Sequence, residues 1–281
     1  FEASLVCTAL KAIMMLTLRV QNLSRCGRRG PSAQPSRRVV RVVCHGHGHG
    51  HGHGHGHGQT STAVLTEKDK GFIAEMRKVA MKLHTKEQAP KEGGKEAPKQ
   101  QGPWTPTLPG YLRFLTESKA VYDTFERLVL HSDDYAALRN TGLERAQALA
   151  DDVAWYEKTY NLKAPELLED GPGRTYCRLL EKLAREDPPA FICHYYNFYF
   201  AHTAGGRMIG NKVGGMLLDG HTLGFYQWPA GDVNELLERV RKSINVMAES
   251  WSPDAKAHCL DETEASFKFS GVILRCITEA A

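Results

Sequence analysis

The chain has 281 residues, 42% hydrophobic and 24% charged, a composition that excludes a fibrous or wholly disordered protein. Its net charge of +4 is unevenly placed: residues 1–64 carry one Lys and seven Arg against Glu2 alone, +7, which leaves −3 for residues 65–281. A body with that balance has no positive excess to recruit phosphates, which argues against nucleic-acid binding. The longest apolar run, residues 5–18, contains Lys11 and is too short to span a membrane. Seven Cys are scattered with no CxxC pair, which points to reduced thiols and gives no support to structural zinc.

In chain order, residues 1–44 read as a transit peptide. No acidic residue occurs between Glu2 and Glu67, while Arg19, Arg25, Arg28, Arg29, Arg37, Arg38 and Arg41 are interspersed with Ser, Val and small residues. A secretory signal fits less well, because most of the positive charge follows the apolar run. Met14 and Met15 are candidate start residues. Residues 45–64 form a low-complexity segment and linker, in which His and Gly alternate strictly from His45 to Gly58. Metal affinity is chemically plausible there, but the signal is compositional only, and no catalysis is placed in it.

The body, residues 65–281, reads as one all-α domain. Apolar residues at three- and four-residue spacing predict helices over 67–86, 111–131, 142–160, 173–185, 189–218, 233–249 and 253–277. A Pro- and Lys-rich stretch, 89–110, separates the first two and is expected to be a mobile excursion. Thr141-Gly142-Leu143-Glu144 has the spacing of a capping box, which places a helix start there. No alternating strand pattern competes.

Outside the tract there are six His: His84, His131, His194, His202, His221 and His258. None lies in an HxxxH or ExxH pairing of the kind that builds zinc or di-iron sites, and no GxSxG, P-loop or GxGxxG is present. His84 shares a helical face with Ile73, Arg77, Ala80 and Met81. Arg77 and His84 are about 10 Å apart along the axis, so an imidazole could reach the iron of a haem while a guanidinium reaches a propionate. Taken alone, a helical His is more often structural. The second constellation is residues 191–210, FICHYYNFYFAHTAGGRMIG, dense in aromatics and then abruptly small. An interior Gly costs a helix about 1 kcal/mol relative to Ala, so Gly205-Gly206 requires a reason. Tight helix packing, a helix end at Gly205, and a bent helix laid across a flat ligand all satisfy it.

These two stretches, together with GYLRFLTESKAVYDTFE, NTGLERA and HCLDETEASFKFSGVIL, resemble the heme oxygenases, in particular their plant and algal plastid branch. The resemblance covers residues 67–281 and implies a single all-α domain holding haem between a proximal and a kinked distal helix. It implies that His84 is the proximal iron ligand. Arg77, Tyr196 and Arg241 are implied as propionate partners, with Arg239 competing for the last position. Gly205 and Gly206 correspond to the distal Gly pair, and Tyr122 to a Tyr of the distal hydrogen-bond network. Two positions depart from the better-known animal pattern: Ala201 replaces a Gly, and His202 replaces the distal Asp that organises water.

The implied reaction is oxidative cleavage of haem b, both substrate and cofactor, at the α-meso carbon by O₂ to biliverdin IXα, CO and ferrous iron. A neutral His84 leaves the opposite face of the iron open and lacks the electron push of a thiolate. Gly205 would press the distal backbone against the ring and steer oxygen to one meso edge, while its amide and an ordered water, positioned by His202 and Tyr122, supply the proton. No flavin or nicotinamide fingerprint occurs, so electrons must come from outside. The branch implies reduced ferredoxin, with its reductase, in the chloroplast stroma, and a bilin reductase downstream. Lys68, Lys70, Lys78, Lys82 and Lys86 give the first helix a basic side for an acidic donor, although such a run is usually only a solvated face. Nothing requires more than a monomer. Two other readings compete: a non-catalytic haem- or tetrapyrrole-binding protein of the same fold, and a cofactor-free helical interaction module.

Overall fold

A computed structural model describes residues 70–88 and 104–279, and among them there is helix but no strand. The eight α-helices are α1 (Gly71–Gln88), α2 (Leu108–His131), α3 (Ala146–Tyr160), α4 (Pro172–Glu186), α5 (Pro188–Ala201), α6 (Arg207–Leu217), α7 (Val233–Glu249) and α8 (Pro253–Arg275). Short 3₁₀ turns at Asp133–Leu138 and Gly224–Tyr226 join them. The segments read as transit peptide and linker, 1–44 and 45–64, lie outside the described residues, as does 89–103 of the excursion.

Helix starts follow side-chain chemistry. Thr107 accepts the Gly110 amide at 3.0 Å, which begins α2 three residues before the expected start, with Pro109 in its first turn. Asp187, Asp232 and Ser252 cap α5, α7 and α8 in the same way. The 142–160 helix is a correction: α3 begins at Ala146. Thr141 and Glu144 do satisfy free amides, those of Leu143, Thr141 and Gly142, but in the turn that precedes the helix. The cap comes from a distant residue, Glu126 of α2, whose Oε1 accepts the Arg145 and Ala146 amides at 2.6 and 2.9 Å. A carboxylate at that helix end also meets the positive end of the helix dipole.

Helix α5 is buried along its whole length from Ala190 to Tyr199, which is how a helix apolar on every side must sit. It runs beside α4 and, most extensively, beside α8. Phe125 of α2 meets Tyr176, Phe191, Tyr195, Phe198 and Tyr199 with ring centroids 5.6–6.3 Å apart, so one side chain ties three helices together. Polar groups on the α5–α8 seam are paired. His194 Nε2 donates to Glu262 at 3.1 Å, Tyr176 bonds His194 Nδ1 at 2.8 Å, and Asn197 donates to Ser266 at 2.8 Å. The His194 hydrogen bond holds the Glu262 carboxyl below the usual carboxylate range.

Helix α1 packs on α7 and α8 through Phe72, Ile73 and Met76, while Val79, Ala80 and Leu83 are only half-buried. Ile73, placed by helical spacing on the His84 side, lies wholly in the core. The start of α1 is fixed from α7: Asn245 Oδ1 accepts the Ile73 amide at 2.9 Å, and its Nδ2 donates to the Lys70 carbonyl at 3.3 Å. Gly71 has φ +54°, and a Cβ there would lie 2.7 Å from Asn245 Oδ1, so glycine is required at the approach. Asn245→Ala should cost about 1–2 kcal/mol in urea unfolding with an unchanged m-value, and should speed hydrogen exchange at the Ile73 amide. An unchanged Ile73 exchange rate would show that the contact carries no cap.

Candidate functional site

The helix expected over 189–218 is continuous but not uniform. From His202 to Gly206 it widens into a π turn, in which the Arg207 amide bonds the His202 carbonyl five residues back. One extra residue in the turn rotates everything after it and loosens the local ladder. Of the three sequence readings of Gly205-Gly206, the helix end is not realised: the chain stays helical through both residues as a π turn.

This turn forms one wall of a cavity of about 370 Å³, within the range of small-molecule sites. Ala201, His202, Ala204, Gly205, Gly206 and Ile209 line it from the π turn and its flanks, Ser118 and Tyr122 from α2, Ser270 and Ile273 from α8, and Met81 from α1. Met81 is 53% exposed, which places it at the mouth. The walls are otherwise largely apolar.

His202 is buried against the stacked ring of Phe225, centroids 3.9 Å apart. Its Nε2 lies 2.8 Å from the Phe225 carbonyl, and a carbonyl can only accept, so Nε2 carries a proton. Burial pushes the imidazole pKa down to about 3; the Phe225 bond opposes this and the Arg145 and Arg207 charges add to it. The ring is therefore neutral and Nδ1 is a bare acceptor. A Cβ on Gly206 would sit 2.7 Å from that Nδ1, so Gly206 leaves room for the imidazole. Tyr122 sets its ring edge-on to His202 at 6.0 Å, and burial drives its hydroxyl pKa well up, which keeps it a proton-bearing group at neutral pH.

The predicted polar anchors gather beside Tyr196, away from the cavity lining. Burial raises the Tyr196 pKa, while the Arg241 charge, an Arg241 hydrogen bond and the Arg77 charge pull it down, which brings α1, α5 and α7 together at this hydroxyl. Arg241 also lies over Phe200 at 4.8 Å and pairs with Glu238 at 2.5 Å. Its Nε is buried with no hydrogen-bond partner. The competing Arg239 is exposed to solvent. His84 lies in α1, with its side chain outside the described residues.

Several residues that shape the site carried no sequence signal. Asp152 and Arg145 are buried and hold the Gly224–Gln227 turn, and Tyr226 of that turn bonds Tyr111 at 2.8 Å. One signal did exist: Gly206, Gly210 and Gly214 recur every four residues and so bare one helix face. A Cβ on Gly210 would lie 2.4 Å from the Tyr226 ring, and one on Gly214 would lie 2.9 Å from the His221 carbonyl oxygen.

A family model described as heme oxygenase matches residues 105–275. The chain is 52% identical over 217 residues to heme oxygenase 1, chloroplastic, of Arabidopsis thaliana, covering 75% of each protein. The chain belongs to the heme oxygenase family. It is also 50% identical over 232 residues to heme oxygenase 3, chloroplastic, of the same plant, covering 77% of this chain and 79% of that one. Among solved structures, heme oxygenase-1 from the cyanobacterium Synechocystis in complex with heme superposes with TM-score 0.57 at 16% identity, covering 73% of this chain and 91% of that one, a likeness of fold.

Heme oxygenases take haem as substrate, and the residues present fit it. On the π-turn side Ala201, Ala204, Gly205 and Gly206 give the cavity a wall of backbone and small side chains that a flat ring can approach closely, and Phe114, Phe198, Phe225 and Leu274 make the rest apolar. The orphaned Arg241 Nε, near Tyr196 and Arg77, offers a buried donor to an anionic edge. Among the described residues no His/Cys/Asp/Glu cluster could hold a separate metal ion, and no helix is long and apolar enough to cross a membrane.

The depressed pKa of His202 fixes the sign of a pH effect. A folded pKa of about 3 against an ordinary 6.5 means that the unfolded chain binds the extra proton. The stability involved is fully present above pH 6.5 and is lost as pH falls toward 3. Between about pH 7 and 5, wild type should lose more unfolding free energy than His202→Gln, read from urea curves. Equal losses would show that the ring is not held neutral.

Proposed function

We propose that this chain cleaves haem at the α-meso carbon to biliverdin IXα, CO and ferrous iron, using O₂ and electrons from reduced ferredoxin, and so feeds bilin synthesis. The observation that carries the reading is the apolar cavity between α1 and the π turn, lined in part from α1, the helix that also carries Arg77 toward Tyr196 and Arg241. Bound haem supplies the iron that activates oxygen and the macrocycle that is oxidised.

His84 would hold the iron. Arg77, Met81 and His84 fall at i, i+4 and i+7 on α1, hence on one face; Met81 lines the cavity and Arg77 lies near Tyr196. Arg77, Arg241 and Tyr196 would bind the propionates and so set the rotation of the ring in its plane, which decides the carbon presented for attack. Gly205 and Gly206 would let the π turn lie against the macrocycle. His202, neutral with a bare Nδ1, would accept a hydrogen bond from a distal water and orient it, while Tyr122, which keeps its proton, closes the wall behind.

The +7 leader and the chloroplastic relatives support import into the plastid stroma with removal of the leader, and residues 65–281 are the catalytic domain. Lys70, Lys78 and Lys82 are exposed along α1 and form the docking face for acidic ferredoxin.

His84→Ala should abolish the His-ligated haem spectrum and reduce biliverdin formation to background. Wild-type turnover in that variant would exclude His84 as the ligand, and stable His-ligated haem without biliverdin in the wild type would leave binding alone. Lys78→Ala with Lys82→Ala should slow ferredoxin-supported turnover several-fold at low salt and flatten its salt dependence. Rates that match wild type at every ionic strength would place the donor elsewhere.

A further inference from the structure

The orientation of His202 is set by a carbonyl of the cavity wall, and that carbonyl is held by two residues, Asp152 and Arg145, that do not line the cavity. Among the described residues the polar contact of His202 on the Nε2 side is the Phe225 carbonyl, which belongs to the 3₁₀ turn Gly224–Tyr226. That turn is clamped from α3. Asp152 accepts the Gly224 amide through Oδ1 at 2.9 Å and the Phe225 amide through Oδ2 at 2.7 Å. Arg145, just before α3, donates to the carbonyls of Leu143, Gly224 and Gln227 and lies over the Trp228 ring at 5.0 Å. Both charged side chains are over nine-tenths buried, which is costly unless every bond is made. With its amides facing Asp152, the turn has its Phe225 carbonyl free to face His202.

We propose that Asp152, assisted by Arg145, is the positioning residue that selects the Nε2–H tautomer of His202 and thereby makes Nδ1 the acceptor on the Gly206 side. The consequence is chemical. A water bonded to a bare Nδ1 gives that nitrogen one hydrogen and keeps its other hydrogen for the cavity. The opposite tautomer would donate from Nδ1 and turn the water's lone pair toward the ring instead. The selection therefore decides the direction of the His202–water hydrogen bond, and with it whether the water is oriented by giving one of its hydrogens to the ring or by accepting one from it. Its catalytic meaning rests on the role given to His202 above, but the tautomer itself is a property of the protein without haem.

The assignment is read by ¹H–¹⁵N correlation of the imidazoles in the haem-free full chain, with His202→Gln identifying the resonance. Wild type should show Nε2–H. In Asp152→Asn, which retains the shape but can accept only one of the two amides, the Nε2–H to Nδ1–H ratio should fall about three- to tenfold with the helical circular dichroism unchanged. Arg145→Lys, which keeps the charge and loses the planar fork, should move it in the same direction. In the haem-loaded protein Asp152→Asn should lower kcat about tenfold with KM for haem unchanged. An Nδ1–H wild type would overturn the proposal even if neither variant folds, and so would an Nε2–H ratio that neither variant alters. Full turnover in His202→Ala would instead remove the catalytic reading of His202 and leave the tautomer assignment standing.

Discussion

A single helix has to be core along one half and bare wall along the other, and the π turn at His202–Gly206 is where that conflict is resolved. Residues 190–199 are buried on every side, so α5 cannot rotate or shift without disrupting the aromatic cluster around Phe125. Helix α6, in turn, must present its Gly face to the 221–226 segment. Both demands are met only if the helix takes up one extra residue between them. The surplus residue falls at the cavity, where His202 turns inward against Phe225 and the glycine backbone lies along the wall.

The rest of the site is held by polar groups that act over long sequence separations. Asn245 sets the start of α1, Glu126 starts α3, and Asp152 and Arg145 fix the turn that meets His202. These side chains close backbone donors and acceptors that the helices leave open at their ends and turns. They also make the slot stiff, because each bond joins two different elements. Among the described residues three buried donors are left unpaired, Trp228 Nε1 and the Nε of Arg241 and Arg275, and of these Arg241 is the one beside Tyr196. A group left in that state is suited to an anion brought by a ligand.

Electrostatics differ between the cavity and the Tyr196 cluster outside its lining. At the π turn, burial keeps His202 neutral and Tyr122 protonated, so hydrogen-bond direction is set by neutral groups. Near Tyr196, two guanidinium groups from α1 and α7 converge on one hydroxyl. Under the proposed function, that contrast would favour the ring of an amphiphilic planar substrate in the apolar cavity and its carboxylates toward the guanidinium groups.

The sequence by itself determined the all-α class and most helix limits, including α7 at 233–249, because three- and four-residue spacing records which side of a helix is buried. It also determined the family, because several long motifs recur in one order. It could not decide among three meanings of Gly205-Gly206, nor between Arg241 and Arg239, since each alternative satisfies the same local pattern. It put the start of α3 at a capping box that is only a turn, because the true cap, Glu126, lies twenty residues upstream on another helix. Asp152 was invisible for the same reason: its partners are seventy-two and seventy-three residues away. Local periodicity fixes the elements, whereas the partners of buried polar groups are chosen only when the packed helices bring distant atoms within hydrogen-bond range.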